Sequence, residues 1–158
     1  MKNDFKADLA RVKPVENEVC GLIKAKYPTA YVVEGDEKGF DIVVPEIPAT
    51  AEVKFDEASN RYPNFFIETA SRLPDGEWKP SGLSVTKSNW WVQVNDTHVV
   101  WIYTESLRYL IESEWKLKEL EFYKVNPPKR GYLIPQGKLL NNPYAKVGER
   151  KLCPITPF

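Results

Sequence analysis

The spacing of apolar residues changes several times along this chain of 158 residues, and each spacing predicts a different element. In residues 5–27 they recur every three or four positions, which is typical of a helix with one buried face. Short runs rich in β-branched and aromatic residues follow, and these are typical of strands. The predicted strands lie at 30–34, in two segments within 40–54, at 64–69, from 90 or 91 to 94, and at 99–103. This order is compatible with an α/β fold.

Two further helices are predicted after the central strands. One is short and covers about 82–89, and the other runs from Thr104, whose hydroxyl can cap a helix, to about Glu114. The other segments carry weaker signals: a loop at 72–80 with a turn at 74–76, helix or strand at 115–125, a short edge element at 132–135, and an irregular surface tail over the last twenty residues.

Residues 40–54 combine this strand pattern with candidate chemistry. An acid opens an apolar run, a turn with two prolines follows, and the second run contains Glu52-Val53-Lys54. Because side chains two apart in a strand point to the same face, Glu52 and Lys54 project together while Val53 points into the core. A carboxylate beside an ammonium group, with a second carboxylate one strand away, can hold a hard divalent cation such as Mg²⁺.

The length of the turn decides whether Asp41 joins the other two charges. A four-residue turn at 45–48 pairs Asp41 with Glu52, and a six-residue turn pairs Asp41 with Lys54. Either register places the three side chains on one face. A five-residue turn would place Asp41 on the opposite face unless a β-bulge intervened.

The same residues resemble the PD-(D/E)XK nuclease superfamily, which contains many restriction enzymes and Holliday-junction resolvases. The matching segments are 39–42, with the sequence GFDI, and 51–54, with the sequence AEVK. Phe40 stands where the family usually has a proline. The resemblance covers about residues 5–104 and implies a restriction-endonuclease-like core, which is a central mixed β-sheet flanked by helices.

The resemblance implies hydrolysis of DNA phosphodiester bonds with Mg²⁺, or Mn²⁺ in its place. Asp41 and Glu52 would bind the metal, with the Val53 carbonyl as a backbone ligand. Lys54 would orient the attacking water, help to deprotonate it, or stabilise the developing negative charge. Under this hypothesis, replacing Glu52 or Lys54 by alanine leaves the fold intact and removes the activity.

Three more charged residues become candidates through the same resemblance. Many members of the superfamily carry a glutamate on the first helix, which here is Glu16. Glu68 closes a string, Asn-Phe-Phe-Ile-Glu, that resembles a segment beside the active centre of phage-type members, and Lys87 is a candidate contact to phosphate. The alternative interpretation is that all three are ordinary solvated charges.

Composition limits the partners and the compartment. The 22 basic and 22 acidic residues balance, which counts against a strongly basic coat for nonspecific nucleic-acid binding. No apolar run approaches the roughly 20 residues needed to cross a membrane, so we expect no membrane association. Cys20 and Cys153 lie far apart and predict free thiols in a reducing compartment.

We therefore predict a single nuclease-like domain over 1–158, with a core at about 5–104 and a C-terminal extension at about 115–158. By analogy with the superfamily, it would act on DNA in the cytoplasm of a bacterium or a phage-infected cell. Branched-DNA cutters of the superfamily act as dimers, so a homodimer is a further expectation.

Two other hypotheses explain the same residues. A nuclease-like fold without activity can serve as a DNA- or protein-binding module, which the neutral net charge favours. Alternatively, the motif is a coincidence and its charges form a surface ion-pair network of little energetic weight.

Overall fold

A computed structural model describes residues 2–34 and 39–150, with side chains from residue 12 onward. The elements in chain order are helix α1 (Lys2–Lys24), strands β1 (Tyr31–Val32), β2 (Ile42–Val44), β3 (Ala49–Phe55), β4 (Asn64–Arg72), β5 (Trp78–Pro80), β6 (Trp90–Val94) and β7 (His98–Tyr103), helix α2 (Thr104–Tyr109), strands β8 (Leu120–Phe122) and β9 (Lys129–Pro135), helix α3 (Gln136–Leu140), and strand β10 (Lys146–Glu149). The predicted N-terminal helix and the strands predicted between 30 and 103 are all present. Residues 35–38, which follow the strand predicted at 30–34, and Cys153 lie outside the described residues.

Six of the described strands form one sheet, in the order β1-β2-β3-β6-β7-β10. β3 and β6 run parallel, and the other neighbours run antiparallel. The predicted α/β class with a mixed sheet is therefore confirmed. The outer strand β10 belongs to the segment predicted as an irregular tail, and that prediction was wrong because its backbone pairs with the open edge of β7.

The other four described strands form a second, antiparallel sheet in the order β5-β4-β9-β8. The predicted edge element at 132–135 is part of β9, which lies between β4 and β8. An edge position was predicted because Pro135 has no N–H to donate to a neighbouring strand. That prediction was wrong, since Pro135 is only the last residue of β9 and leaves the pairing of the rest of the strand intact. β5 lies in the predicted loop and forms a hairpin with β4.

The helix predicted over 82–89 was also wrong, since only Gly82–Ser84 form a short 3-10 turn. The following residues bond outside their own segment. The Lys87 N–H donates to the Gly39 carbonyl oxygen at 3.2 Å, and the Ser88 hydroxyl donates to the same oxygen at 3.1 Å. The helix predicted from Thr104 is present as α2 and continues as a π-helical turn at Leu110–Glu114.

Two apolar cores lie on the two faces of the six-stranded sheet. α1 covers one face, where Val15 and Val19 pack with Ala51 and Val53 of β3. The second core combines residues of the other face with residues of β4, β9, α2 and α3, including Phe65, Ile67, Trp91, Ile102, Leu107, Ile134 and Leu139. Among the described residues, no helix is both long enough and apolar enough to span a membrane.

Candidate active site

The β2–β3 hairpin has the register that a four-residue turn at 45–48 requires. Ile42 pairs with Ala51, and Val44 pairs with Ala49. These pairs confirm the register predicted for a four-residue turn, and Asp41 precedes the first paired residue, Ile42. The hairpin forms because β-branched residues flank a turn that prolines open and close.

Asp41 leaves the regular ladder just where β2 begins. Its N–H donates to the Ala51 carbonyl oxygen at 2.8 Å, and its carboxylate Oδ2 accepts the Val53 N–H at 2.8 Å. The side chain of Asp41 therefore occupies the edge of β3 where the backbone of β2 would otherwise continue. Because the N–H and C=O of a strand residue point to the same neighbour, the Val53 carbonyl is directed toward this edge as well.

Glu52 and Lys54 lie on the face of β3 opposite α1, as the alternation predicted. Their neighbours Ala51 and Val53 are buried against the helix. Lys54 Nζ lies 3.1 Å from Glu52 Oε1, and the exposed fractions of the two side chains are 36% and 15%. The ammonium group also lies 5.8 Å from the ring centre of Trp91, within the range of a cation–π contact.

The pKa of Lys54 is raised above its ordinary value. Burial of the ammonium acts to lower this pKa, but the charge and hydrogen bond of Glu52 and the charges of Asp41 and Glu68 together outweigh that effect. Lys54 is thus a cation at neutral pH. Its electrostatic contribution to stability is complete below the ordinary lysine pKa and is lost as pH rises through the raised pKa.

The Glu68 side chain is held at the same site by two contacts. Lys129 Nζ lies 3.2 Å from its Oε1, and the Ser81 hydroxyl donates to its Oε2 at 2.6 Å. Gly82 has φ +51°, and a Cβ at this position would overlap the Glu68 carbonyl oxygen. Glycine therefore allows the Ser81 loop to approach β4 and to fix the carboxylate near Lys54.

Two predicted residues, Glu16 and Lys87, take part in none of the contacts described above for this cluster. Glu16 is half-buried on α1, the helix that packs against the opposite face of the sheet, so its role at the site stays a prediction. Its neighbour Glu18 forms a structural pair with Arg150, at 2.8 Å and 3.0 Å. Lys87 is exposed, and its stem lies against Gly39, two residues before Asp41.

A buried polar network lies beside Lys54 and was not predicted from the sequence. Gln93 is 1% exposed, accepts the Trp91 indole N–H at 2.8 Å, and donates to Asp56 Oδ2 at 2.9 Å and to the Phe66 carbonyl at 3.2 Å. The same Asp56 oxygen accepts the Phe66 N–H at 2.7 Å. The network therefore joins β3, β6 and β4, and so joins the two sheets.

Burial raises the pKa of Asp56, and hydrogen bonds from Phe66, Ser59 and Gln93 offset that effect only in part. The Asp56 carboxyl group therefore stabilises the folded state most when it is protonated. This contribution to stability is complete below the ordinary aspartate pKa and is lost as pH rises through the raised pKa.

Replacing Gln93 by leucine is expected to lower the free energy of unfolding by about 2 kcal/mol or more. The change leaves the Trp91 N–H and the Phe66 carbonyl without their buried partner, and each such group costs about 1–3 kcal/mol. Urea unfolding measures the loss, with the exposed change Lys79→Leu as the control that stays within about 0.5 kcal/mol of wild type. If Gln93→Leu matched that control, the network would carry no stability.

The oxygen donors at the site suit a hard divalent cation. Asp41 and Glu52 supply carboxylates and Val53 supplies a peptide carbonyl, and Mg²⁺ is commonly held by one or two carboxylates completed by water and substrate phosphate. Among the described side chains, those of residues 12–34 and 39–150, no group of three or more His, Cys, Asp or Glu is placed to hold a metal ion.

Comparisons of this chain with known protein families, with curated proteins and with solved structures each found no significant match. The likeness to the nucleases therefore depends on the motif and on the geometry of the residues that carry it.

Proposed function

We propose that this protein is a metal-dependent deoxyribonuclease that hydrolyses phosphodiester bonds. The observation that carries the proposal is the position of the Asp41 carboxylate. It is bound to the Val53 N–H, between Glu52 and Lys54 on the neighbouring strand. This contact brings Asp41 to the strand that carries Glu52 and Lys54, and two acids with a cation suit metal-assisted hydrolysis of a phosphodiester.

Asp41, Glu52 and the Val53 carbonyl would hold Mg²⁺ or Mn²⁺. When bound, the ion supplies a polarised phosphate oxygen, a water of lowered pKa and a counter-charge for the leaving oxyanion. Glu52 already pairs with Lys54. A bound metal ion would therefore either share the Glu52 carboxylate with the Lys54 ammonium or separate the two side chains.

Lys54 acts as a positive charge in this proposal. Its raised pKa keeps the ammonium protonated at neutral pH, so in the resting protein it cannot accept a proton from water. The ammonium is instead suited to stabilise negative charge on the phosphate as it develops. The ring of Trp91 and the carboxylate of Glu52 restrict where that charge can lie.

Glu68 and Lys129 form the outer part of the site. Glu68 adds to the field that keeps Lys54 protonated, and Lys129 neutralises Glu68 at 3.2 Å. A substrate phosphate that approached Lys129 would have to compete with Glu68. DNA as the partner, a homodimer, and the cytoplasm of a bacterium or phage-infected cell belong to this proposal through the resemblance.

The proposal is tested by incubating the protein with plasmid, flap, junction and single-stranded DNA in Mg²⁺, in Mn²⁺ and in EDTA. We expect cleavage of at least one substrate with either metal and none in EDTA. The protein with Glu52→Ala, prepared in parallel, controls for contaminating nucleases. Tight DNA binding without cleavage in any metal would favour the non-catalytic binding module instead.

A further inference from the structure

A groove of about 430 Å³ opens where β6 begins and β7 ends. Its lining combines charges, amide and hydroxyl groups, and one aromatic ring, and it includes Lys87, Asn89, Tyr103, Glu105 and Arg108. The sheet's apolar cores lie elsewhere. A polar groove with one exposed ring is suited to a ligand that carries both charge and a flat surface.

Residues that line this groove are hydrogen-bonded to both segments of the motif hairpin. The N–H of Lys87 and the hydroxyl of Ser88 donate to the Gly39 carbonyl, two residues before Asp41. Asn89 Oδ1 accepts the Thr50 N–H at 2.9 Å, two residues before Glu52. Thr50 and Glu52 are two strand residues apart, about 7 Å, so the Asn89 end of the groove lies close to Glu52. Trp90 and Tyr103, by contrast, belong to the α1 face of the sheet.

Lys87 is the cation of the groove that is available to a phosphate. Its side chain is exposed, and its stem packs on Gly39, where an added Cβ would lie 3.2 Å from Lys87 Cβ. Arg108, by contrast, is engaged in the protein: it pairs with Glu105 at 2.7 Å and donates to the Leu83 carbonyl at 2.9 Å. The net charge of the groove is therefore that of Lys87.

Tyr103 supplies the flat surface. Its ring stacks on Trp90, the residue directly opposite it in the β6–β7 pair, with the ring centres 4.0 Å apart and the planes 30° apart. Tyr103 is nevertheless 53% exposed. Trp90 thus holds the tyrosine ring in place while one side of that ring faces outward.

We propose that this groove binds a single nucleic-acid strand, with a phosphate at Lys87, toward the proposed site, and an unpaired base on Tyr103, farther away on the α1 face of the sheet. An exposed ring can stack on a base only when that base has left its duplex stack, so the groove selects single-stranded or frayed DNA. The inference rests on the proposed function for its choice of DNA, but binding at the groove requires neither metal nor cleavage.

The test is fluorescence anisotropy in EDTA, with a labelled oligothymidylate and a labelled hairpin duplex of the same length. We expect Tyr103→Ala to weaken binding of the single strand about tenfold, since stacking on one base contributes about 1–3 kcal/mol. Tyr103→Phe should retain that affinity. Tyr109→Ala, which removes a similarly exposed tyrosine from α2 outside the groove, is the matched control and should leave it unchanged.

Lys87→Ala should weaken binding of both oligonucleotides and reduce the salt dependence by about one phosphate contact. The inference is overturned if Tyr103→Ala binds the single strand as wild type does, if it weakens the two probes equally, or if wild type binds no single strand. Because no metal is present, the result is independent of whether the cleavage assay succeeds. If the protein cleaves DNA but Tyr103→Ala does not change binding, the groove proposal is wrong and the proposed nuclease activity stands.

Discussion

Replacing Glu52 by glutamine is expected to reduce metal-dependent DNA cleavage about a thousandfold or more. The substitution keeps the shape of the side chain but removes one of the two carboxylates proposed to hold the ion. A bound cation contributes several kcal/mol to stabilising the transition state, and each 1.36 kcal/mol corresponds to a factor of ten in rate. Single-turnover cleavage of the preferred substrate in Mg²⁺ measures the effect.

The fold should survive this change. Glutamine removes a partner of Lys54, but that ammonium still experiences the charges of Asp41 and Glu68. The matched control is Glu112→Gln, an exposed acid on the turn at Leu110–Glu114, which should cleave at the wild-type rate. Cleavage by Glu52→Gln within a few-fold of wild type would remove Glu52 from the mechanism.

Replacing Lys54 by methionine is expected to lower the rate of the chemical step about 100-fold. Methionine fills a similar volume without the charge, and the loss of one preorganised electrostatic contact to a transition state costs about 100- to 1000-fold. Because the substitution removes a cation that competes for Glu52, the metal should bind this variant at least as well as wild type. Cleavage rates and the rise in melting temperature with added Mn²⁺ together measure the two effects.

Lys146→Met, an exposed lysine of β10 at the far edge of the same sheet, is the control for Lys54→Met. It should match wild type in both measurements. A Lys54→Met protein that cleaves normally would show that the ammonium has no catalytic part. A variant that loses its thermal response to Mn²⁺ would show instead that Lys54 helps to build the metal site.

The motif hairpin could be predicted because its determinants are local. The β-branched run, the prolines and the two-residue alternation all lie within residues 40–54, and they set both the register and the shared face of Glu52 and Lys54. The bond from Val53 to Asp41 could not be predicted. It depends on where β2 leaves the sheet, which neighbouring elements decide.

The second sheet could not be assembled from sequence because its pairings are distant. β4 pairs with β9, so Phe65 lies opposite Ile134, and no local pattern specifies that partner. Lys129 is the first residue of β9, so its contact with Glu68 could not be predicted from sequence. Gln93 did carry a signal: an amide inside an otherwise apolar strand requires buried partners, and Asp56 is one of them.

The most direct test of the proposed metal site is a Mn²⁺ titration followed by electron paramagnetic resonance of the free ion. Wild type, Asp41→Asn and Glu52→Gln are compared at neutral pH without DNA. We expect wild type to bind the ion and both variants to bind it at least about tenfold more weakly, since each loses one of two carboxylate ligands. Equal binding by all three proteins would contradict a catalytic cation held between Asp41 and Glu52.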